Sequence, residues 1–274
     1  MPVVTLLNQK GGVGKTSCTH HLAGTLAQSG RRVLLLDNDP QSSLTQGFFG
    51  PSATRALDPG ETIAALYRGD RPFPEQVIRP TGFDRIDLVS GSRHATRFNI
   101  PEPHDADAES QDCLRSFLEE VRDGYDLVMI DCPPNLHLCS WAALVASDFL
   151  IVPLQPEDYG AQGIIDVQDS VAMVASGPNP SLDLLGYLLT MVAPRRTLHQ
   201  LYEENLRAEY GELVFRSRVP EAVDFAEAIA RRLPIVRYKP KGAPARAIKA
   251  LADELAERIA ARTATRNPAK TEAA

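Results

Sequence analysis

The stretch NQKGGVGKTS, residues 8–17, sets the architecture of the whole chain. It follows the apolar run PVVTLLN at 2–8, which is typical of a buried strand, and it leads into a helical pattern that ends near Gly30. A glycine-rich turn between a strand and a helix forms an anion cradle, because backbone N–H groups without helical partners and the helix dipole both point at the anion. The stretch therefore predicts a phosphate-binding loop in a parallel α/β fold.

The residue types in this loop predict contacts with a nucleotide and with Mg²⁺. Its glycines let the backbone come close to phosphates, Lys15 is expected to reach the β- and γ-phosphates, and the Thr16 hydroxyl is expected to ligate Mg²⁺. One position is unusual, because Gln9 stands where the ordinary loop has a glycine, and Lys10 follows it. The predicted nucleotide-binding residues of the loop are Lys10, Gly11, Gly12, Val13, Gly14, Lys15, Thr16 and Ser17.

Length and composition place the chain among globular proteins. With 274 residues, 43% of them hydrophobic, it can bury a full core, and we favour one domain over two small ones. No apolar run approaches the roughly 20 residues that a membrane helix needs, and the N-terminus shows no targeting pattern, so we expect a cytoplasmic protein. The four cysteines form no CxxC pair, which indicates reduced, buried thiols.

Apolar runs alternate with helical patterns along almost the whole sequence. This alternation predicts a mostly parallel sheet covered on both faces, and together with the phosphate loop it predicts a single P-loop NTPase domain over residues 1–262. A polar tail at 263–274 is expected to be disordered. After a second strand at 31–39 the chain is rich in Pro and Gly through about residue 84, which indicates irregular structure with one short helical piece, ETIAALYRG. A late strand is expected at ELVFRSRVP, residues 212–220.

Two further strands end on carboxylates. LLLDNDPQSSLT at 34–45 carries Asp37 and Asp39, and YDLVMIDCPP at 125–134 carries Asp131. Carboxylates beside a phosphate loop can order Mg²⁺ and its waters or position the water that attacks a phosphate. We expect Asp39 to support hydrolysis, and Asp37 and Asp131 to support the metal together with Thr16.

These segments resemble the ParA/MinD family of deviant Walker A ATPases, and most of all its short Soj-type partition members. The resemblance covers roughly residues 2–260 and implies ATP and Mg²⁺ as cofactors, with Lys10, Lys15 and Asp39 as catalytic residues. In that family, the lysine at the position of Lys10 reaches across a homodimer to the nucleotide of the other subunit. Pro220 and Glu221 match the stretch that lines the adenine pocket in relatives. The usual Asp and Asn of partition members are replaced by Ala193 and Thr197.

The net charge of −6 hides an uneven distribution of charged residues. Residues 1–189 carry 13 basic and 24 acidic side chains, whereas residues 190–249 carry 12 basic and 7 acidic ones. A basic region on an acidic protein can still bind nucleic acid locally, through phosphate contacts that do not depend on sequence. The candidate DNA contacts are Arg195, Arg196, Arg216, Arg218, Arg231, Arg232, Lys239 and Lys241, and the same stretch also holds Arg237, Arg246 and Lys249.

The resemblance leaves two functions open. The first is a partition ATPase with weak intrinsic activity that binds double-stranded DNA non-specifically as an ATP homodimer, associates with the nucleoid and is released by a ParB-like adaptor. It would segregate a chromosome or plasmid, or position another cargo. The second is a nucleotide-gated regulator or scaffold that acts on a protein partner, as MinD does, without binding DNA. The Ala-rich C-terminus does not favour membrane docking, and Cys132 and Cys139 do not fit the iron–sulfur branch of the family.

Overall fold

One mostly parallel β-sheet organises the fold. The computed structural model describes residues 1–156 and 160–266, and in this part of the chain seven strands form a sheet in the order β3-β4-β2-β5-β1-β6-β7. All neighbouring strands run parallel except β3 and β4. The strands are β1 Val3–Leu6, β2 Val33–Asp37, β3 Ile78–Pro80, β4 Ile86–Val89, β5 Leu127–Asp131, β6 Phe149–Leu154 and β7 Asp183–Leu189. The predicted α/β fold is confirmed.

Helices cover both faces of the sheet. Alternate residues of β2 point to opposite sides, with Leu34 and Leu36 in one buried apolar cluster and Val33 and Leu35 in the other. This two-sided burial explains why the strands are continuously apolar. In the described residues the helices are α1 Lys15–Gln28, α2 Ser43–Phe49, α3 Pro51–Ala56, α4 Ile63–Tyr67, α5 Pro74–Val77, α6 Ala108–Glu120, α7 Leu138–Ala146, α8 Gly160–Ala175, α9 Thr197–Tyr210, α10 Val223–Ala230, α11 Ile235–Tyr238 and α12 Ala243–Arg266. None of them is long and apolar enough to cross a bilayer.

The segment after β2 is more ordered than the sequence indicated. It folds into short helices and an antiparallel edge strand rather than one helical piece in an irregular region. Gly50, with φ of +84°, ends α2, and Pro51 starts α3 at a position where no backbone N–H is needed. The Pro and Gly residues that suggested a loop therefore separate short helices.

Two predictions in the C-terminal third are corrected. Residues 212–220 do not form a strand, because the isolated bridges Tyr187–Val214 and Val192–Pro220 stand where a continuous ladder was expected. The last helix reaches Arg266, so it continues past residue 262, where the domain was expected to end. The rest of the expected tail, 267–274, lies outside the described residues. All four cysteines are free thiols, as expected.

Two adjacent histidines on α1 are buried against neighbouring helices. The Nδ1 atoms of His20 and His21 are 3.4 Å apart, and His21 Nδ1 accepts a hydrogen bond of 3.1 Å from the backbone N–H of Ile235. The His20 ring packs on Phe48 and the His21 ring on Phe225. Burial lowers the pKa of His20 to about 4 and that of His21 to about 3, because a charged imidazolium would lose its hydration.

We expect the free energy of unfolding to decrease as the pH is lowered from 6.5 towards 4. The unfolded chain binds protons on these imidazoles near pH 6.5, whereas the folded chain resists protonation down to about pH 4, so acid favours unfolding. The shift of His20 corresponds to roughly 3 kcal/mol and that of His21 to roughly 5 kcal/mol. His20→Phe keeps an aromatic ring and should weaken this pH dependence in urea titrations, whereas the exposed control His94→Asn should not. If the free energy of unfolding has the same dependence on pH in wild type and in His20→Phe, the prediction is wrong.

Candidate functional site

The predicted phosphate loop connects β1 to α1. Gly12 and Gly14 have φ of +80° and +86°, in the left-handed region that favours glycine, and α1 begins directly after Gly14. A Cβ atom added to Gly12 would meet nothing within 4 Å, so this side of the loop is open to a ligand. The Thr190 hydroxyl donates a hydrogen bond of 2.8 Å to the carbonyl of Val13 and holds the loop against the end of β7.

Lys15 lies across the inside of the loop. Its Nζ donates hydrogen bonds to the carbonyl oxygens of Asn8, at 2.8 Å, and Lys10, at 3.1 Å, and only 6% of the residue is exposed. Burial lowers the pKa of this ammonium, and the nearby Asp131 opposes that shift. A phosphate in the loop would supply the anionic partner that the buried ammonium requires.

Two buried carboxylates face each other beside the loop. Asp37 and Asp131 are register partners at the ends of β2 and β5. Asp131 Oδ2 accepts a hydrogen bond of 2.6 Å from the Thr16 hydroxyl, and Asp37 Oδ2 accepts from the N–H and hydroxyl of Thr45 at 2.7 and 2.6 Å. Burial is the main cause that raises the pKa of Asp37 to about 7 and that of Asp131 well above its usual value, and the proximity of Asp37 raises the pKa of Asp131 further.

This carboxylate pair fits a Mg²⁺ ion. The Oδ1 atoms of both aspartates are buried and have no hydrogen-bond partner among the described residues, so a cation would satisfy them. Within the described residues, no group of three or more His, Cys, Asp or Glu side chains could hold a metal alone. Mg²⁺ in phosphate sites usually takes only one or two carboxylates and completes its shell with phosphate oxygens and waters. The structure thus brings together Thr16, Asp37 and Asp131, and their role at a metal remains a prediction.

Asp39 lies at the same end of the sheet. Its Oδ1 accepts a hydrogen bond of 2.9 Å from the backbone N–H of Gln41, which fixes the direction of the side chain. Burial raises the pKa of Asp39, and the charge of Lys15 counteracts that shift. The carboxylate is therefore close enough to the phosphate loop to interact with its lysine, as its predicted role in hydrolysis requires.

Two supporting residues were missed from the sequence. The hydroxyl of Thr45 donates to Asp37 and accepts a hydrogen bond of 2.8 Å from the N–H of Gly91, just after β4. A Cβ atom on Gly91 would lie 2.7 Å from the carboxylate of Asp37, so a larger residue there would displace it. Thr45 stands in the quoted motif LLLDNDPQSSLT, but its contact with Asp37 depends on the short helix α2, which the sequence did not indicate.

Lys10 is part of the loop through its backbone. Its N–H donates to Asn8 Oδ1 at 2.9 Å, its carbonyl accepts from Lys15, and the residue is exposed. The backbone of Lys10 therefore helps to shape the loop around Lys15 of the same subunit. The predicted reach of its side chain to the other subunit of a dimer remains a prediction.

Pro220 and Glu221 lie next to the segment that holds the loop. Pro220 bridges Val192, and the N–H of Glu221 donates to the carbonyl of Val192 at 3.1 Å. Glu221 also pairs with Arg196 at 3.3 Å. Because Thr190 contacts the loop only two residues away from Val192, the position suits contact with a base, and that contact remains a prediction.

The candidate DNA contacts divide into two groups. Four of them form ion pairs with carboxylates of this chain, Arg196 with Glu221, Arg216 with Glu257, Arg218 with Glu203 and Lys239 with Asp224. The other four, Arg195, Arg231, Arg232 and Lys241, are exposed and form no ion pair with the described residues. Four of the eight candidate DNA contacts are therefore neutralised by carboxylates of the same chain, which charge counting along the sequence did not show.

Comparison with known proteins places the chain among ATPases. A family model described as an AAA domain matches residues 1–184. The chromosome-partitioning ATPase Soj of Thermus thermophilus is 37% identical over 93% of this chain and 96% of its own length. The chromosome partitioning protein ParA of Myxococcus xanthus is 34% identical over 93% of this chain and 88% of its own.

One similar solved structure contains a bound nucleotide analog and a metal ion. Cobyrinic acid a,c-diamide synthase of Mycobacterium smegmatis, with bound ATP analog and magnesium, superposes with a TM-score of 0.77 and 26% identity, over 93% of this chain and 94% of its own. Its fold and ligands agree with the loop and the carboxylate pair described above. The family model, the two relatives above 30% identity and the phosphate loop show that the chain belongs to the ParA/MinD family of P-loop ATPases.

Proposed function

We propose that this protein is a ParA-type partition ATPase that binds non-specific double-stranded DNA as an ATP homodimer. A ParB-like adaptor would stimulate hydrolysis and release the dimer from DNA in the nucleoid. The observation that carries the proposal is the buried Asp37–Asp131 pair near the charge of Lys15, with two oxygens that have no hydrogen-bond partner in the described part of the chain. The names of the two relatives support the partition role.

The residues at the loop would act on ATP in distinct ways. Backbone N–H groups of the loop and the Lys15 ammonium bind the triphosphate, while Thr16, Asp37 and Asp131 would hold Mg²⁺. The metal supplies charge neutralisation at the phosphates. Asp39, held by the N–H of Gln41, orients the attacking water, and the surrounding burial keeps bulk solvent away from it. Intrinsic hydrolysis would be slow, because a partner has to complete the site.

Lys10→Ala should reduce adaptor-stimulated turnover by about 10- to 100-fold, the size expected for losing a hydrogen bond to a charged group. Affinity of the monomer for ATP should change little, because the backbone of Lys10 keeps its contacts with Asn8 and Lys15. Phosphate release with and without adaptor, together with ATP titration, measures both quantities. The exposed control Arg55→Ala should behave like wild type. Wild-type turnover in Lys10→Ala would exclude a role of this lysine in the active dimer.

DNA binding is the test of the proposed function. We expect co-sedimentation with random-sequence duplex DNA only in the presence of ATP, and weaker binding at higher salt, because released counterions drive phosphate contacts. A dimer doubles the number of these contacts, so the affinity for DNA should increase strongly when ATP brings two subunits together. Arg231→Ala with Arg232→Ala should lower affinity more than the matched pair Arg216→Ala with Arg218→Ala, whose side chains are ion-paired within the chain.

The second candidate function is a nucleotide-gated regulator or scaffold for a protein partner. It is favoured by the net charge of −6 and by the four internal ion pairs in the basic stretch. No DNA binding with ATP, ADP or no nucleotide would exclude the partition role and favour this candidate.

A further inference from the structure

The C-terminal helix α12 carries a buried ion pair that lies outside the phosphate loop. The guanidinium of Arg258 contacts Glu254 one turn earlier, with 3.0 Å from Nε and 2.9 Å from Nη2 to Oε1. The two side chains are only 15% and 3% exposed. Burying both charges is costly unless further hydrogen bonds satisfy them, so their other contacts define what the pair does.

Glu254 holds the backbone of the segment before Pro220. Its Oε1 accepts from the N–H of Arg216 at 2.9 Å, and its Oε2 accepts from the N–H of Ser217 at 2.8 Å. Burial alone would raise the pKa of Glu254, but the hydrogen bonds from the backbone of Arg216 and Ser217, together with those from the side chains of Ser217 and Arg258, lower it below its usual value. The carboxylate is therefore kept ionised as an acceptor for two backbone groups.

Arg258 binds backbone carbonyl groups of the same segment. Its Nη1 donates to the carbonyls of Glu212, at 2.8 Å, and Leu185, at 3.1 Å, and its Nη2 donates to the carbonyl of Val214 at 3.0 Å. The guanidinium also lies 4.2 Å from the centroid of the Phe215 ring. Because Leu185 belongs to β7, Arg258 joins this segment to the edge of the sheet.

These contacts explain why residues 212–220 are not a strand. Their backbone meets β7 where the N–H of Phe215 donates to Tyr187, and again where the N–H of Val219 donates to Leu189, both at 2.9 Å. Between these two points the N–H groups of residues 216 and 217 turn to Glu254 instead of the sheet. We name Glu254 and Arg258 the α12 clamp.

The clamped segment leads directly to the proposed base contacts. Three residues after Ser217 the chain reaches Pro220, and Val219 accepts a hydrogen bond of 3.0 Å from the N–H of Val192. Residues 190–192 in turn hold the phosphate loop through Thr190. Hydrogen bonds therefore connect α12 to the segment 212–220, and that segment to Val192, beside the predicted base contacts.

We propose that the α12 clamp consists of positioning residues that place Pro220 and Glu221 against the nucleotide base. The proposal rests on the proposed function as an ATP-binding protein and on the predicted base contacts of Pro220 and Glu221. It assigns the clamp no contact with the phosphates, because those are bound by the loop residues 10–17. Disrupting the clamp should therefore weaken binding of ligands that carry a base and leave binding of phosphate groups alone unchanged.

The test compares ATP with inorganic tripolyphosphate, which has no base, as competitors of a fluorescent ATP analogue. Arg258→Ala should weaken ATP binding by about tenfold, because several hydrogen bonds that order the segment are lost together, and should leave tripolyphosphate binding unchanged. Glu254→Gln keeps the shape of the side chain, and it should weaken ATP binding by a smaller factor while tripolyphosphate binding again stays unchanged. The control Arg262→Ala, one turn further along α12 and 3.5 Å from Asp183, should change neither affinity.

Each outcome decides the proposal. Equal losses for ATP and tripolyphosphate would show general damage to the fold and would overturn it, as would wild-type ATP affinity in a folded Arg258→Ala variant. If Arg258→Ala does not fold, the selective loss in Glu254→Gln decides. Failure of the proposed function is seen separately, as wild-type protein that binds ATP but not DNA, and that result leaves the clamp comparison intact.

Discussion

Replacing Lys15 with alanine should lower the affinity for ATP by at least about 100-fold, because the ammonium makes charge-assisted hydrogen bonds to phosphate oxygens. In the structure the Lys15 Nζ lies inside the loop and donates to the carbonyls of Asn8 and Lys10. Those carbonyls hold the ammonium where a triphosphate would meet it. Removing the ammonium leaves the loop with backbone N–H groups alone to bind several negative charges.

The measurement is titration with a fluorescent ATP analogue, and Lys15→Met is the informative companion variant. Methionine keeps much of the buried aliphatic volume but not the charge, so both variants should lose the same affinity if charge is the cause. ATP binding by Lys15→Met close to that of wild type would show that packing, and not the ammonium, supports the site. Unchanged binding in Lys15→Ala would remove the phosphate loop from the proposed mechanism.

The phosphate loop and the carboxylate ends were predictable because their determinants are local. A strand, a glycine turn and a helix lie within residues 2–30, and the Gly-Lys-Thr run sits at the junction. That Asp37 and Asp131 lie at the same end of the sheet also follows from the sequence, because parallel strands end on the same side, whereas their pairing in register depends on β2 lying next to β5. The position of a residue within a single strand–turn–helix unit can therefore be predicted from the local sequence.

What could not be predicted depends on contacts between distant residues. The sequence 212–220 reads as a strand, and it becomes a bent edge segment because Glu254 and Arg258, far along the chain, take up its backbone groups. The basic stretch reads as one surface, yet Arg218 pairs with Glu203 and Arg216 with Glu257. A local sequence pattern cannot show which residue pairs with a charge or an N–H group, because the partner can lie far away in the sequence.

Asp39→Asn should reduce ATP turnover by about 10²- to 10⁴-fold, the usual contribution of a positioned acid or base. The asparagine oxygen can still accept the hydrogen bond from the N–H of Gln41, so the turn after β2 should keep its shape. ATP affinity should be equal to or higher than that of wild type, because one negative charge near Lys15 and the incoming phosphates is removed. The variant should therefore accumulate as an ATP dimer in size-exclusion chromatography.

The pH dependence of turnover gives a second and independent readout of Asp39. Its carboxylate must be ionised to orient water, and burial raises its pKa, so wild-type turnover should fall as the pH decreases through that raised value. Asp39→Asn has no group to titrate there and should lose this acidic limb of the profile. An unchanged acidic limb in Asp39→Asn would move the essential ionisation to the Asp37–Asp131 pair. Wild-type turnover in the variant would exclude Asp39 from hydrolysis altogether.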